Sequence, residues 1–320
     1  MPYAVAWFVV GLVVLILGAE FLVRGASRLA RRLGVPALVV GLTIVAFGTS
    51  APEFAVTVAS ALKGEPDVAL GNAVGSNIFN VLAIVGAAAL IRPLPVKRRL
   101  IRFDAPIMIA ATVALLALAL NRRLDRGEGL VLVAGLVAYT VFAYVWARRE
   151  KEHPDVAAQF ETAHPIQGST PLQILALLAG FVMLSFGSRW MVDGAVRVAE
   201  ELGVSRAIVA LTIVAAGTGM PELATSVMAG LRNEPDIAVG NIVGSNIFNI
   251  LGAVGLSATV APSGMTVNEK ILTTDGPMML LTLLLLWQMC KTGRRVGRGE
   301  GAVLFAAYIA YVAFAVVRAG

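Results

Sequence analysis

Two glutamates in this chain stand inside apolar stretches and keep the same company. Thr49, Ser50, Pro52 and Glu53 lie in GTSAPE, while Thr218, Gly219, Pro221 and Glu222 lie in GTGMPE. On a helix, Glu53 follows Thr49 and Ser50 at i+4 and i+3, which predicts two hydroxyls and a carboxylate on one face. Pro52 offers no N–H to the Gly48 carbonyl and predicts a kink. Broken helices at mid-membrane expose carbonyl oxygens that hold ions. A carboxylate at the centre of a membrane helix costs about 2.5 to 3.5 kcal/mol even on lenient insertion scales, so two of them in duplicate contexts point to function rather than packing.

A second pair of segments supplies neutral oxygens. Asn72, Ser76 and Asn80 recur at i, i+4 and i+8, and Asn241, Ser245 and Asn249 repeat that stripe on otherwise apolar sequence. Oxygens of this kind suit a hard cation: calcium takes about 6 to 8 of them, from carboxylates and carbonyls. Two carboxylates also balance one divalent ion. The competing explanation is structural, with Asn and Ser bonding between helices. For Gly71 with Gly75 and Gly240 with Gly244 that explanation is preferred, since GxxxG spacing most often means helix contact.

The elements that must position these residues are duplicated. Thr43 to Asn80 returns without a gap as Thr212 to Asn249, with 24 of 38 positions identical. The register of 169 extends further, matching Leu33, Gly34 and Val35 to Leu202, Gly203 and Val204, and Pro93 to Pro262. We expect an all-α membrane protein of ten transmembrane helices in two inverted-topology five-helix repeats. An odd number of crossings per copy forces the second to enter from the opposite side. The halves are residues 1–148 and 171–320, joined by a polar linker at 149–170.

Composition agrees with a membrane protein. Hydrophobic residues make up 58% of 320, charged residues only 14%, and the mean hydropathy is +0.82, too apolar for an ordinary soluble domain. Apolar stretches near 20 residues, the length of a crossing, recur near 4–22, 37–62, 68–90, 103–120, 129–147, 171–188, 206–230, 237–260, 271–289 and 302–317. They are continuous and lack the period-two alternation of barrel strands. The first stretch has no basic residue before it and ends in Glu20 and Arg24, so it reads as a retained helix rather than a signal peptide.

The net charge of +6 does not indicate nucleic acid, because the basic residues sit in short loops between apolar stretches. Alternate loops hold 17 of the 26 Lys and Arg, among them Arg24, Arg28, Arg31, Arg32 and Arg232. The positive-inside rule then places the 149–170 linker in the cytoplasm and both termini outside a cell membrane. His153 and His164 in that linker lack the Cys or carboxylate company of a metal site. Cys290 stands alone, which excludes a disulfide framework, and it ends an apolar stretch as a buried small hydrophobe.

The remaining intramembrane charges are expected to be structural. Glu20 with Arg24 and Asp193 with Arg197 are i, i+4 pairs near helix ends. Asp104 and Asp275 each precede a proline by two residues at the start of an apolar stretch, where interfacial capping is expected.

GTSAPE with GNAVGSNIFN, and GTGMPE with GNIVGSNIFN, closely resemble the two alpha repeats of the sodium/calcium exchanger family of the cation/calcium antiporters, prokaryotic type. The resemblance covers essentially the whole chain. It implies antiport of calcium against sodium by alternating access, with ions as substrates, no cofactor and no enzymatic activity. It further implies a calcium site formed by Glu53 and Glu222 with backbone oxygens near Thr49 and Thr218. Sodium sites would be lined by Ser50, Ser76, Asn80, Ser245 and Asn249, with carbonyls near Ala46 and Ala215. The family pattern usually has serine at Gly219 and often aspartate at Asn249, which leaves calcium/proton antiport, with the glutamates taking up protons, as the alternative. A cation channel is disfavoured by the inverted repeat with mid-helix prolines. An intramembrane hydrolase lacks a membrane-embedded His or Cys to pair with a nucleophile.

Overall fold

The computed structural model describes residues 2–151, 169–204 and 215–319, with Val209 and Ile213 between the last two segments. Most of the 149–170 linker, with His153 and His164, and much of the start of the 206–230 stretch, with Thr212, lie outside the described residues.

The described chain is almost entirely helical. In order it runs α1 (Pro2–Leu33), α2 (Ala37–Thr49), α3 (Ala51–Leu62), α4 (Pro66–Ile91), α5 (Leu100–Asn121) and α6 (Arg126–Lys151). It continues with α7 (Thr170–Glu201), a helical turn at Ala215–Gly217, α8 (Met220–Leu231), α9 (Pro235–Val260), α10 (Ile271–Gly293) and α11 (Arg298–Ala319). Seven of these are long and apolar enough to cross a membrane, or eight if α2 and α3, bent by 49°, count as one span. Their outward faces carry Trp7, Val13, Phe21, Leu175, Phe186 and Ile309, each at least 44% exposed. An apolar surface of that extent fits lipid rather than water.

Helices α3 to α6 of the first half return in the second, displaced by 169 residues for α3 and α4, by 171 for α5 and by 172 for α6. The turns between α3 and α4 and between α8 and α9 both need one left-handed residue, supplied by Gly64 (φ 76°) and Asn233 (φ 61°). Glycine and asparagine are the types that adopt that conformation at least cost. Two short antiparallel ribbons fasten the halves to each other. Strand β1 (Leu94–Pro95) pairs with β4 (Arg295–Val296), and β2 (Arg123–Leu124) pairs with β3 (Met265–Thr266).

Helices α1 and α7 form a layer of their own. Gly11, Gly18 and Gly25 on α1 recur every seven residues, as do Gly180, Gly187 and Gly194 on α7. A Cβ on Gly18 would lie 2.8 Å from the Leu184 backbone nitrogen, and one on Gly187 would lie 2.5 Å from that of Leu15. The seven-residue glycine stripes therefore let two antiparallel backbones touch, as small residues do in membrane bundles. The other layer is built on α4 and α9, which are the most deeply buried: 78% of the apolar window in α4 and all of that in α9 lie inside the protein. Gly240 and Gly244 of α9 seat against Leu38, Leu42 and Ala46 of α2, the packing role expected for that pair. The matching contact of Gly71 and Gly75 would fall on residues mostly outside those described.

The charged pairs depart from the sequence reading in two places. Asp104 caps no helix: it is fully buried, its Oδ2 lies 3.3 Å from Arg99 Nε, and its Oδ1 accepts from the Tyr139 hydroxyl at 3.3 Å. Asp275 makes no side-chain cap either and stands 3.8 Å from Lys270. In both, helical backbone runs straight through the aspartate, so no free N–H waits there for a cap. Glu20 does pair with Arg24, and also with Arg232 of the other half. Among the described residues Asp193 and Arg197 form no such pair.

Candidate ion-binding site

Both glutamates sit where a helix has just restarted. Helix α2 stops at Thr49, Ser50 leaves helical geometry (φ −80°, ψ 4°), and α3 begins with Ala51 and Pro52. The second copy repeats this at Gly219 (φ −82°, ψ 4°), followed by Met220 and Pro221. Glu53 and Glu222 thus occupy the first turns of α3 and α8, at the positive ends of those helix dipoles. Each is 1% exposed.

The break changes which groups meet. On an unbroken helix Ser50 would share a face with Glu53, but its hydroxyl instead donates to Glu222 Oε1 of the other half at 2.8 Å. Ser245 Oγ lies 3.4 Å from the same oxygen. Thr49 donates to Asn241 Oδ1 at 2.9 Å and lies 3.3 Å from the Ala46 carbonyl. Thr218 follows the Ala215–Gly217 turn and directly precedes the break at Gly219. The shortest hydroxyl-to-carboxylate contact, Ser50 to Glu222, therefore crosses between the halves, while that of Ser245 stays within the second. Ser76, the counterpart of Ser245, is buried without such a bond among the described residues.

A second layer holds the carboxyl-bearing turns. Asn72 donates to the Glu53 carbonyl at 3.2 Å and to Thr57 at 2.9 Å; Asn241 does the same toward the Glu222 carbonyl at 3.5 Å and Ser226 at 3.1 Å. The Ala46 carbonyl accepts from the Ser50 N–H at 3.0 Å as well as from Thr49, so it is fully engaged here. Ala215 opens its short helical turn. Asn80 and Asn249, 2% exposed, stand on α4 and α9 one turn beyond Ser76 and Ser245.

What remains uncompensated is specific. Oε2 of Glu53 and Oε2 of Glu222 are buried and accept no hydrogen bond among the described residues. Buried carboxylate oxygens without donors are costly unless a cation or a proton fills the gap. Among the described residues no three His, Cys, Asp or Glu side chains cluster, so any ion held here meets two carboxylates and otherwise neutral oxygens. That is the chemistry of a hard cation.

A family profile described as "Sodium/calcium exchanger protein" matches this chain twice, over residues 3–145 and 172–317. The chain belongs to the sodium/calcium exchanger family. The exchanger MaX1 of Methanosarcina acetivorans, named a sodium/calcium exchanger, is 33% identical over 94% of this chain and 95% of its own. Inner membrane protein YrbG of Escherichia coli is 35% identical, covering 98% of this chain and 97% of its own. A solved structure of the sodium-calcium exchanger NCX_Mj, soaked with sodium and strontium, superposes with a TM-score of 0.83 at 27% identity, covering 98% of each chain.

In this exchanger, sequence reasoning passed over Thr57 and Ser226 and the two asparagines Asn77 and Asn246, all buried. For the asparagines the signal was present, since both stand in the repeated GSNIFN. The serine and asparagine on either side drew the attention because they fell on the i, i+4 stripe.

Proposed function

We propose that this chain exchanges calcium for sodium across the membrane by alternating access, with ions bound between two inverted five-helix repeats of ten crossings in all. The observation that carries the proposal is the pair of buried glutamates, one from each half, each with one carboxylate oxygen that no described residue satisfies. Calcium bridges Glu53 and Glu222, assisted by Thr49 and Thr218. Sodium ions use Ser50, Ser76, Asn80, Ser245 and Asn249, with carbonyls at Ala46 and Ala215 released as the α2–α3 break and its counterpart rearrange. Calcium and sodium are substrates, and no resident cofactor is required. Both termini face outward and the 149–170 linker inward. The names of MaX1 and NCX_Mj support the ion pair, and the glycine-lined contact of α1 with α7 supports their moving as one unit over a static core.

A second reading is calcium/proton exchange. Gly219 has no hydroxyl and Asn249 no carboxylate, so the neutral oxygens for several sodium ions are fewer, whereas two glutamates suffice for two protons. Calcium-45 uptake into proteoliposomes decides between them, driven in turn by an outward sodium gradient, an outward proton gradient and no gradient. We expect uptake under sodium alone. Uptake under protons but not sodium selects the second reading, and uptake with neither gradient reveals a channel. Glu53→Gln and Glu222→Gln should each abolish exchange under either driving ion; full activity in both variants would remove the glutamates from the mechanism.

A further inference from the structure

Four asparagines, two from each half, form a crossed hydrogen-bond network between α4 and α9. Asn249 Nδ2 donates to Asn77 Oδ1 at 3.1 Å, and Asn80 Nδ2 donates to Asn246 Oδ1 at 3.2 Å. The partners fix which way each amide is turned. Asn77 Nδ2 lies 3.3 Å from the Asn246 backbone carbonyl and 3.6 Å from Met279 Sδ. Asn246 Nδ2 lies 3.6 Å from Met108 Sδ. A carbonyl and a thioether only accept, so the NH2 groups of Asn77 and Asn246 must face them. Their Oδ1 atoms are then presented to Asn249 and Asn80, which can answer only with NH2. The outer pair is left with its own Oδ1 atoms turned away from the clamp, and neither accepts a hydrogen bond among the described residues.

Asn80 and Asn249 also lie where α4 and α9 widen into π-helical turns, Asn80–Val85 and Phe248–Val254. Those turns pack against α8 and α3 respectively, the helices that carry Glu222 and Glu53. Single π turns inside α-helices recur at functional sites.

We propose that Asn77 and Asn246 are positioning residues for ion binding: they lock the amides of Asn249 and Asn80 with oxygen, not NH2, available to the cation. The proposal rests on the exchanger reading. Without the lock an amide can rotate and present a hydrogen-bearing nitrogen to the ion, which repels it. Because each half's inner asparagine holds the other half's outer one, the two coupled pairs are Asn77 with Asn249 and Asn246 with Asn80.

The test is the half-saturating sodium concentration for driving calcium uptake, with sodium binding to the detergent-solubilised protein by calorimetry as a transport-independent readout. Asn77→Leu is expected to raise both by about tenfold, the size of one well-placed hydrogen bond, while the maximal rate changes less. A double-mutant cycle separates positioning from general structure. Asn77→Leu should add nothing in an Asn249→Ala background and its full effect in an Asn80→Ala background. An equal effect of Asn77→Leu in both backgrounds, or none in the parent, overturns the clamp. Should Asn77→Leu fail to accumulate, Asn77→Ser carries the same cycle. Sodium binding and exchange absent from the parent protein would sink the exchanger reading and the clamp together, whereas an active parent with an indifferent Asn77 sinks only the clamp.

Discussion

At the residue scale the halves differ most tellingly at Ser50 and Gly219. Ser50 gives Glu222 its closest hydroxyl, at 2.8 Å. At Gly219 a Cβ would lie 2.5 Å from the Phe79 ring, so an aromatic side chain occupies the space a serine would need. Ser50→Ala is expected to weaken ion binding by about 1.5 to 3 kcal/mol, the worth of a hydrogen bond to a charged group, seen as at least a tenfold higher half-saturating calcium concentration. Gly219→Ser should not restore a missing ligand. It should instead destabilise the protein by roughly 1 to 3 kcal/mol through overpacking, read as a lower melting temperature that Phe79→Leu reverses. The glutamates themselves were legible in the sequence, because charge in an apolar stretch has few structural uses. Their partners were not, since the i+3 and i+4 rule holds along one helix and the chain breaks between Thr49 and Ala51.

At the element scale, the broken spans were legible from Pro52 and Pro221, and a close helix contact at Gly240 and Gly244 from their GxxxG spacing, though not that α2 is the partner. The α1–α7 contact was written just as plainly, as glycine every seven residues, but a seven-residue period carries no polar signal and so drew no reading. The role of Asp104 was hidden for a different reason: Arg99 stands five residues before it on the same segment, but Tyr139 comes from α6, which only folding brings near. The glycine seam makes a directional prediction. Gly18→Leu puts a side chain against the Leu184 backbone and should cost about 1 to 3 kcal/mol or more, measured as loss of melting temperature and of uptake. Gly230→Ala, where a Cβ meets nothing within 4 Å and the first half already carries Ala61, should stabilise α8 by about 0.5 to 1 kcal/mol.

At the scale of the whole molecule, the α1–α7 layer is pinned to the α8–α9 turn by charged pairs from α1. Near the end of α1, Glu20 pairs with Arg232, and Ser27 and Arg31 both reach Glu234, at the turn between α8 and α9. Moving 169 residues converts these pairs to Arg189 with Lys63 and Glu200 with Glu65, which are like-charged. The duplication thus repeats the candidate site but not these charge pairs, and under the alternating-access proposal the charges at the α8–α9 turn favour the arrangement closed on that side. Partly exposed ion pairs contribute only about 0.2 to 1 kcal/mol each, yet about 1 kcal/mol or more is enough to shift two balanced states roughly fivefold. A cysteine placed at Ser226, buried on α8, reports that shift, with little background from the buried Cys290. Glu20→Gln combined with Glu234→Gln should raise its labelling severalfold from the side bearing Arg24, Arg28 and Arg31, and high salt should produce the same rise in the parent by screening. Lys63→Gln with Glu65→Gln should leave it unchanged. Equal responses to both double variants would mean that the charged turns do not set which side is closed.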